Sequence, residues 1–239
     1  MGSRTQIIRG FVHAAAMIGL VAVTADARQA PPPPPPGKPP AASQVEKLGP
    51  NKFRIGNVSI DTEKKEVSVR GVSLEVTALE FIAVPKNGFK AYESALEVDT
   101  NAINFNLGLL LIGLDDSRTV RNPGIAPPKG DPVEIWVEWE DAGRPRKVRA
   151  EELVYNIETK ETMSVGPWVY TGSMFDAANN AFLADIEGSL IGFVQTVGPL
   201  IDNPRPLKSV NYGSVRMNPN LNLKPGTGVV LTVRALPRP

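Results

Sequence analysis

Three features of the sequence predict a mostly β, α+β domain in which antiparallel hairpins pack around one main amphipathic helix. Apolar and polar residues alternate in short runs between Phe53 and Val76, and again from Asp131 to Glu140, the period-two pattern of half-buried strands. Gly56, Asp61, Gly71 and the Asp141-Ala142-Gly143 triplet punctuate those runs at hairpin spacing. One stretch only, about Asn101 to Ile112, places apolar residues at helical spacing. Strands separated by turns rather than by helices favour antiparallel pairing over βαβ units.

The elements follow in chain order. Residues 1–27 have the parts of a secretory signal: Arg4 and Arg9, an apolar run from Phe11 to Val23, and Ala25-Asp26-Ala27 as a small-x-small cleavage site. The apolar run is thirteen residues long, short of the roughly 20 that a spanning helix needs. The expected product is exported, periplasmic or secreted, with no transmembrane span after cleavage; a retained anchor is the alternative. Without cysteine, lipid attachment through a mature N-terminal thiol is unavailable. Pro31 to Pro36, Pro39 and Pro40 make residues 28–45 a polyproline II linker, because proline fixes φ and lacks an amide donor. A docking ligand for an aromatic groove would use the same geometry.

Residues 46–239 then form a single domain. Phe53 and Ile55, Val58 and Ile60, Val67 and Val69, and Val72, Leu74 and Val76 mark the first strands. Phe81 to Val84 is a continuous apolar strand that stops at Pro85, and Ala91 to Val98 is another strand. In the helix, Ile103, Leu107, Leu110, Leu111 and Leu114 share the predicted apolar stripe, Asp99 or Thr100 caps the start and Gly113 ends it. Residues 115–132 read as a polar loop rich in Pro and Gly. Asp131 to Glu140 is the strongest strand, followed by a basic return strand. Further strands are expected at Met163 to Thr171, Ala181 to Ile186, Ser189 to Val194 and Val229 to Ala235.

Composition excludes whole classes of function. The chain has 26 basic and 25 acidic residues, no cysteine and one histidine. That histidine, His13, leaves with the signal. Disulfides, zinc fingers, thiol nucleophiles and Ser-His-Asp triads therefore fall away, since each needs a thiolate or an imidazole. The balanced charge offers no basic stripe to neutralise phosphates, so nucleic acid is not a predicted partner. Glu134, Trp136, Glu138 and Glu140 share a strand face that is either a stacking platform for a sugar or a set of cross-strand partners for Arg146 and Lys147. Asp185 and Glu187, two apart on a strand, would hold their Cα atoms about 6.6 Å apart, within reach of glycosidase chemistry. Asp99-Thr100-Asn101 starts like a calcium loop, but Ile103 takes the next ligand position, which leaves a helix cap. No metal site and no cofactor is predicted.

The blocks KAYESALEVDTNAINFNLGLLLIG (90–113), VEIWVEW, PWVYTGS (167–173), FLADIEGSLIG (182–192) and LIDNP (200–204) resemble, as an ordered set, the YdjY-like domain family of exported bacterial domains. The resemblance spans about residues 45–235. It implies an exported domain without an assigned activity, and it carries over Glu93, Ser94, Gly113, Trp168, Gly172, Ser173, Asp185, Gly188 and Asp202. The family pattern has histidine before the Glu-Ser pair and at the start of the helix; this chain has Tyr92 and Asn104 there. Any imidazole-dependent site is thereby lost or rebuilt. Relatives labelled ferredoxin-like would need thiolates for a cluster, and this chain has none.

The candidate polar cluster is accordingly Tyr92, Glu93, Ser94, Asn104, Trp168, Ser173, Asp185 and Asp202, either a buried ordering network or the lining of a pocket. The predicted function is a non-catalytic exported envelope or extracellular domain that presents a binding surface at the end of a proline spacer, with an envelope protein or a glycan as partner. A carboxylate-dependent hydrolase or transferase acting on cell-envelope polysaccharide is the alternative.

Overall fold

Where apolar and polar residues alternate, strands form. The structure, a computed structural model, describes residues 42–238 apart from 123–125, 177–180, 206 and 208–210. The secretory signal and most of the proline linker lie outside the described residues. The N-terminal runs give β1 (Val45–Gly49), β2 (Lys52–Ile55), β3 (Val58–Asp61) and β4 (Glu66–Ser73), joined as successive antiparallel hairpins. β5 (Phe81–Pro85) and β6 (Ser94–Val98) follow, then helix α1 (Ala102–Leu111). The long strand β7 (Asp131–Asp141) turns into β8 (Arg144–Arg149). Short elements complete the chain: β9 (Trp168–Tyr170), helix α2 (Leu183–Glu187), β10 (Ile191–Gly192) and β11 (Ile201–Asp202), before the closing strand β12 (Gly228–Ala235).

The fold is mostly β, as predicted, but the strands do not wrap around a helix. Eight of them close on themselves in the order β4-β12-β7-β9-β11-β10-β5-β6, with β6 returning to β4. Neighbours are antiparallel except β5 with β6 and β10 with β11, which are parallel. Closure depends on strands that change partner along one edge. β4 pairs with β3 through Ser68, Val67 and Glu66, and further on with β6 through Gly71, Val72 and Ser73. At the crossing, a Cβ on Gly71 would overlap the carbonyl oxygen of Glu97, so only glycine lets the two backbones meet. β7 divides in the same way, pairing with β9 at Asp131 to Val133 and with β8 at Trp136 to Asp141.

The alternation of β7 puts Val133, Ile135, Val137 and Trp139 into the core with Val67, Val69, Leu231, Val233, Trp168 and Tyr170. Each such side chain contributes about 1.5–3 kcal/mol by leaving water. On the opposite face, Arg234 pairs with Glu66 and, at 3.0 Å, with Glu134, which also takes Arg149 at 3.3 Å. Lys147 meets Glu138 at 2.9 Å, and the Trp136 ring lies between Lys147 and Arg149, each 5.3 Å from its centroid. The acidic face of β7 is thus occupied by cross-strand partners.

Helix α1 confirms its position and corrects its face. The predicted stripe of Ile103, Leu107, Leu110, Leu111 and Leu114 is buried only in part: Leu114 is buried and Ile103 and Leu107 pack partly against the core, but Leu110 and Leu111 are each 41% exposed, while Ala102, Phe105, Gly108 and Leu109 are buried. The helix is apolar nearly all round, so periodicity does not choose its face. Gly108 does, since a Cβ there would already lie 3.2 Å from Val58 and 3.3 Å from Val67. Asn101, rather than Asp99 or Thr100, is the N-cap and accepts a 2.8 Å hydrogen bond from the Asn104 amide. Asp99 instead holds Lys86 and Asn57.

Other expectations change too. The run from Ala91 to Val98 is a 3₁₀ turn as far as Glu93 and strand only from Ser94. The loop at 115–132 contains a small hairpin of Val120–Asn122 and Ala126–Lys129. Only Glu161–Thr162 and Trp168–Tyr170 are strand within or beside the Met163 to Thr171 run. Only Ile191–Gly192 pairs within Ser189 to Val194. The run from Ala181 to Ile186 is strand for two residues and then helix: α2 carries Asp185 in its first turn and ends at left-handed Gly188, φ +61°. Asp185 and Glu187 therefore sit on a helical turn and not on one strand face.

Candidate functional site

Hydrogen bonds divide the candidate polar residues into groups that α2 links. Around the 3₁₀ turn Phe89–Glu93, the buried Glu93 carboxylate accepts from Lys90 Nζ at 2.7 Å, Ser94 Oγ donates to the Lys90 carbonyl at 2.7 Å, and the half-buried Tyr92 hydroxyl stands 3.5 Å from the same ammonium. At the start of α1, Asn104 accepts from the Ser43 amide at 2.8 Å, and Asp185 Oδ1 accepts from the Ala102 amide at 2.7 Å. At the far end of β9, Ser173 Oγ donates to the Gly198 carbonyl at 2.6 Å and Thr171 Oγ1 donates to Asp202 Oδ2 at 2.8 Å. Trp168 is fully buried in the core, and its indole nitrogen has no partner among the described residues. α2 touches both the 3₁₀ turn and α1, and Glu187 at its end faces Gly198, where a Cβ would overlap its carboxylate.

Burial sets the electrostatics of these groups. The Asp202 carboxyl is raised to about 7, first by burial, against the Thr171 hydrogen bond and the Arg121 charge. Burial also raises Asp185, opposed by the amides of Ala102 and Ile103, and raises Glu187, opposed by Lys90. For Lys90 burial works against the charge, but the hydrogen bond and charge of Glu93 win and its ammonium is held above the ordinary range.

Beside the first group lies a cavity of about 420 Å³ lined by Leu79, Phe193, Val194, Leu207, Tyr212 and Val215, with Glu80 and Arg205 among its walls. It meets a second cavity of about 190 Å³, lined in part by Val154 and Met163, at Arg205, Leu207 and Val215. Sequence reasoning missed both charged walls. Glu80 lies beside Glu93: its amide donates to the Glu93 carbonyl at 2.9 Å, and burial first, then the Glu93 charge, raise its carboxyl. Arg205 is backed by Glu151, which is fully buried and also takes Arg149 at 3.1 Å. Arg205 itself donates to the Pro167 carbonyl at 2.6 Å, and its side chain fills the space beside Gly166. The only hint in the sequence is negative: Glu80 directly precedes the apolar strand β5, and Arg205 follows the apolar-to-polar break at Leu200 to Pro204.

The YdjY domain model matches residues 58–234, from the first residue of β3 to β12 and across every wall of the groove. The chain belongs to the YdjY domain family. Searches of curated proteins and of solved structures return no match. Within this YdjY domain the Tyr92-Glu93-Ser94 block lies behind Glu80, and Asn104 has become a tether for Ser43. Among the described residues no group of three or more His, Cys, Asp or Glu could hold a metal ion. No helix among them is long and apolar enough to cross a membrane.

Proposed function

We propose that this YdjY domain is an exported, non-catalytic binding module whose recognition surface is the groove between Glu80 and Arg205. One observation carries the reading: Glu80 and Arg205 line a single cavity with largely apolar walls, Arg205 is held from behind by the buried Glu151, itself paired with Arg149, and the Glu93 beside Glu80 is paired with Lys90. Burying Glu151 and Glu93 costs stability unless both stay paired, and such support behind a surface charge is how binding residues are pre-positioned. A cavity of this size lies within the roughly 300–1,000 Å³ of small-molecule sites, which combine apolar walls with a few convergent polar groups. The secretory signal and proline linker read from the sequence support placement outside the cytoplasm.

No arrangement favours hydrolysis. The pair read from the sequence, Asp185 and Glu187, lies on the α2 turn, where Asp185 Oδ1 takes the Ala102 amide and Glu187 faces Gly198, and neither lines the groove.

The test is nuclear magnetic resonance of isotope-labelled protein against a defined panel: free amino acids, dipeptides, muropeptides and a trimer of N-acetylglucosamine. The expected result is fast-exchange shifts confined to Leu79, Phe193, Leu207, Tyr212 and Val215, with every panel compound recovered intact after overnight incubation. Shifts scattered over the barrel, or a hydrolysed panel compound, would refute the reading.

A further inference from the structure

Two strands of the barrel sheet have a partner on one side only among the described residues, β1 and β8. A free edge presents N–H and C=O groups with which another extended chain can pair in register. The two edges are built differently. In β8 the two-residue turn Ala142-Gly143 makes Asp141 and Arg144 the closing pair, so Arg144, Arg146 and Val148 bond to β7 while Pro145, Lys147 and Arg149 face outward. Pro145 has no N–H, and the Arg149 amide donates to Glu152 at 3.0 Å. That edge is blocked.

On β1 the same alternation leaves the edge open. The Gly56-Asn57 turn makes Ile55 and Val58 a closing pair, so Arg54 points to β1, where it meets Glu46. Val45 and Lys47 therefore turn their main chains away from β2. Neither is proline, and the register runs unbroken from Val45 to Lys47 before it shifts toward Gly49. β1 also buries no side chain, with Val45 51% and Leu48 58% exposed. It stands outside the eight strands of the barrel and ahead of the residues that the YdjY model matches. We propose that β1 is a second docking surface, at which an extended segment of another protein adds as an antiparallel strand, with a carboxylate opposite Lys47 and apolar side chains beside Val45 and Leu48. The proposal is independent of the groove.

The choice of occupant follows from main-chain chemistry and charge. The chain's own linker cannot form the ladder, because eight of the ten residues from Pro31 to Pro40 are proline and lack the amide donor. A second copy would meet β1 about a two-fold axis normal to the sheet, so the register must centre on one residue facing itself. Centring on Glu46 or on Lys47 opposes like charges directly, which destabilises the pair. Centring on Val45 needs the Ser43 amide, which already donates to Asn104 at 2.8 Å. A foreign strand escapes all three conflicts. Glu46 is paired with Arg54 at 2.6 Å, whereas Lys47 makes no ion pair among the described residues. Lys47 is thus the charge left to select a partner, and it favours a carboxylate across the ladder.

The experiment follows amide shifts of the isotope-labelled protein as the terminally blocked hexapeptide Thr-Val-Glu-Thr-Val-Thr is added, its Glu facing Lys47 and its two Val residues beside Leu48 and Val45. Shifts are expected at the Val45 and Lys47 amides, with Leu79 and Phe193 of the groove unmoved. Methylating the peptide amides of Glu and the second Val, the edge that faces β1, should weaken binding by about tenfold or more; methylating the first Val and the second Thr, on the other edge, should change it little. Lys47→Pro removes an outward N–H and no bond to β2, and should weaken binding to a similar extent. In Lys47→Glu the preference should invert toward a peptide with Lys in place of Glu, a gain that a poorly folded variant would not show. No shift at β1 with millimolar peptide, or equal binding of the two methylated forms, overturns the proposal. Dimerisation of the free protein that Lys47→Pro abolishes would overturn the foreign strand as occupant while keeping β1 as the docking edge. Shifts confined to Leu79 and Phe193 would overturn the β1 assignment and support the groove instead.

Discussion

Asp202 shows how a single residue can record its surroundings. It is 3% exposed on β11, its Oδ2 accepts from Thr171, and its Oδ1 has no partner among the described residues. Burial raises its carboxyl to about 7 despite the Arg121 charge nearby. Between the ordinary carboxylate range and that value the folded protein binds more protons than the unfolded chain, so stability must fall as pH rises through this window and stay lower above it. The shift corresponds to at most about 4 kcal/mol. Urea midpoints measured from pH 4 to pH 8 should decline for the natural protein relative to Asp202→Asn, whose profile lacks that slope; parallel profiles would disprove the assignment. Ser173 is the other residue that only the structure explains. It holds φ at +55°, unusual for a residue with a Cβ, because Arg121 binds its carbonyl and its hydroxyl binds Gly198. Its importance was visible in the PWVYTGS block, but not its strained backbone, since nothing local to Gly172-Ser173 names Arg121 as a partner.

At the scale of elements, α1 and α2 separate what pattern can and cannot tell. The existence of α1 follows from apolar spacing, while its cap, expected at Asp99 or Thr100, is Asn101. Its buried face does not follow from spacing, because almost every position is apolar and the choice falls to Gly108 against Val58 and Val67. α2 was legible only as an apolar run that a strand would equally satisfy. It becomes a helical turn because Gly188 adopts a left-handed conformation at its end, where a Cβ would overlap the Phe89 amide. Asp185 then serves as a second cap on α1, negative charge at the positive end of the helix. Removing that acceptor in Asp185→Ala should cost about 1–2 kcal/mol, whereas Asp185→Asn, which keeps an oxygen toward Ala102, should cost well under half as much. Chemical denaturation distinguishes the two. A large loss for Asn would show that the charge rather than the hydrogen bond is what matters. The same comparison explains why the Asp185 and Glu187 pair, plausible on a strand, has no common face here.

For the whole molecule, closure is the decisive event, and its seams are held by long-range contacts. Asp131 at the start of β7 accepts both Arg238 Nε at 2.8 Å and a second guanidinium nitrogen at 2.6 Å, and also the Asp115 amide at 2.9 Å. It ties the C-terminal segment after β12 to the loop after α1. The Arg238 hydrogen bond leads in holding the Asp131 carboxyl below its ordinary range, against the effect of burial. Its stabilisation is present above the unfolded carboxylate range and is lost as pH falls through the lowered value. Arg238→Ala should lower stability only modestly, because the guanidinium is about half exposed and screened. It should also weaken the acid dependence of unfolding between pH 5 and pH 2. Thermal melts over that range decide the matter, and an unchanged acid limb would assign the effect to other carboxylates.

The sequence by itself determined the β-rich class, the hairpins from β2 to β4, the alternation of β7, the presence of α1, membership of the YdjY family and the absence of thiol chemistry. These depend on local spacing and composition, which a strand or helix expresses within a few residues. Only the tertiary structure decided the barrel, its two parallel pairs, the face of α1 and the groove between Glu80 and Arg205. Those features join residues that are not neighbours in sequence, in the extreme more than a hundred positions apart, as Glu80 and Arg205 line one cavity and Asp131 meets Arg238. Local period carries no information about which distant strand will supply the missing edge, and backbone closure at Gly71 supplies it.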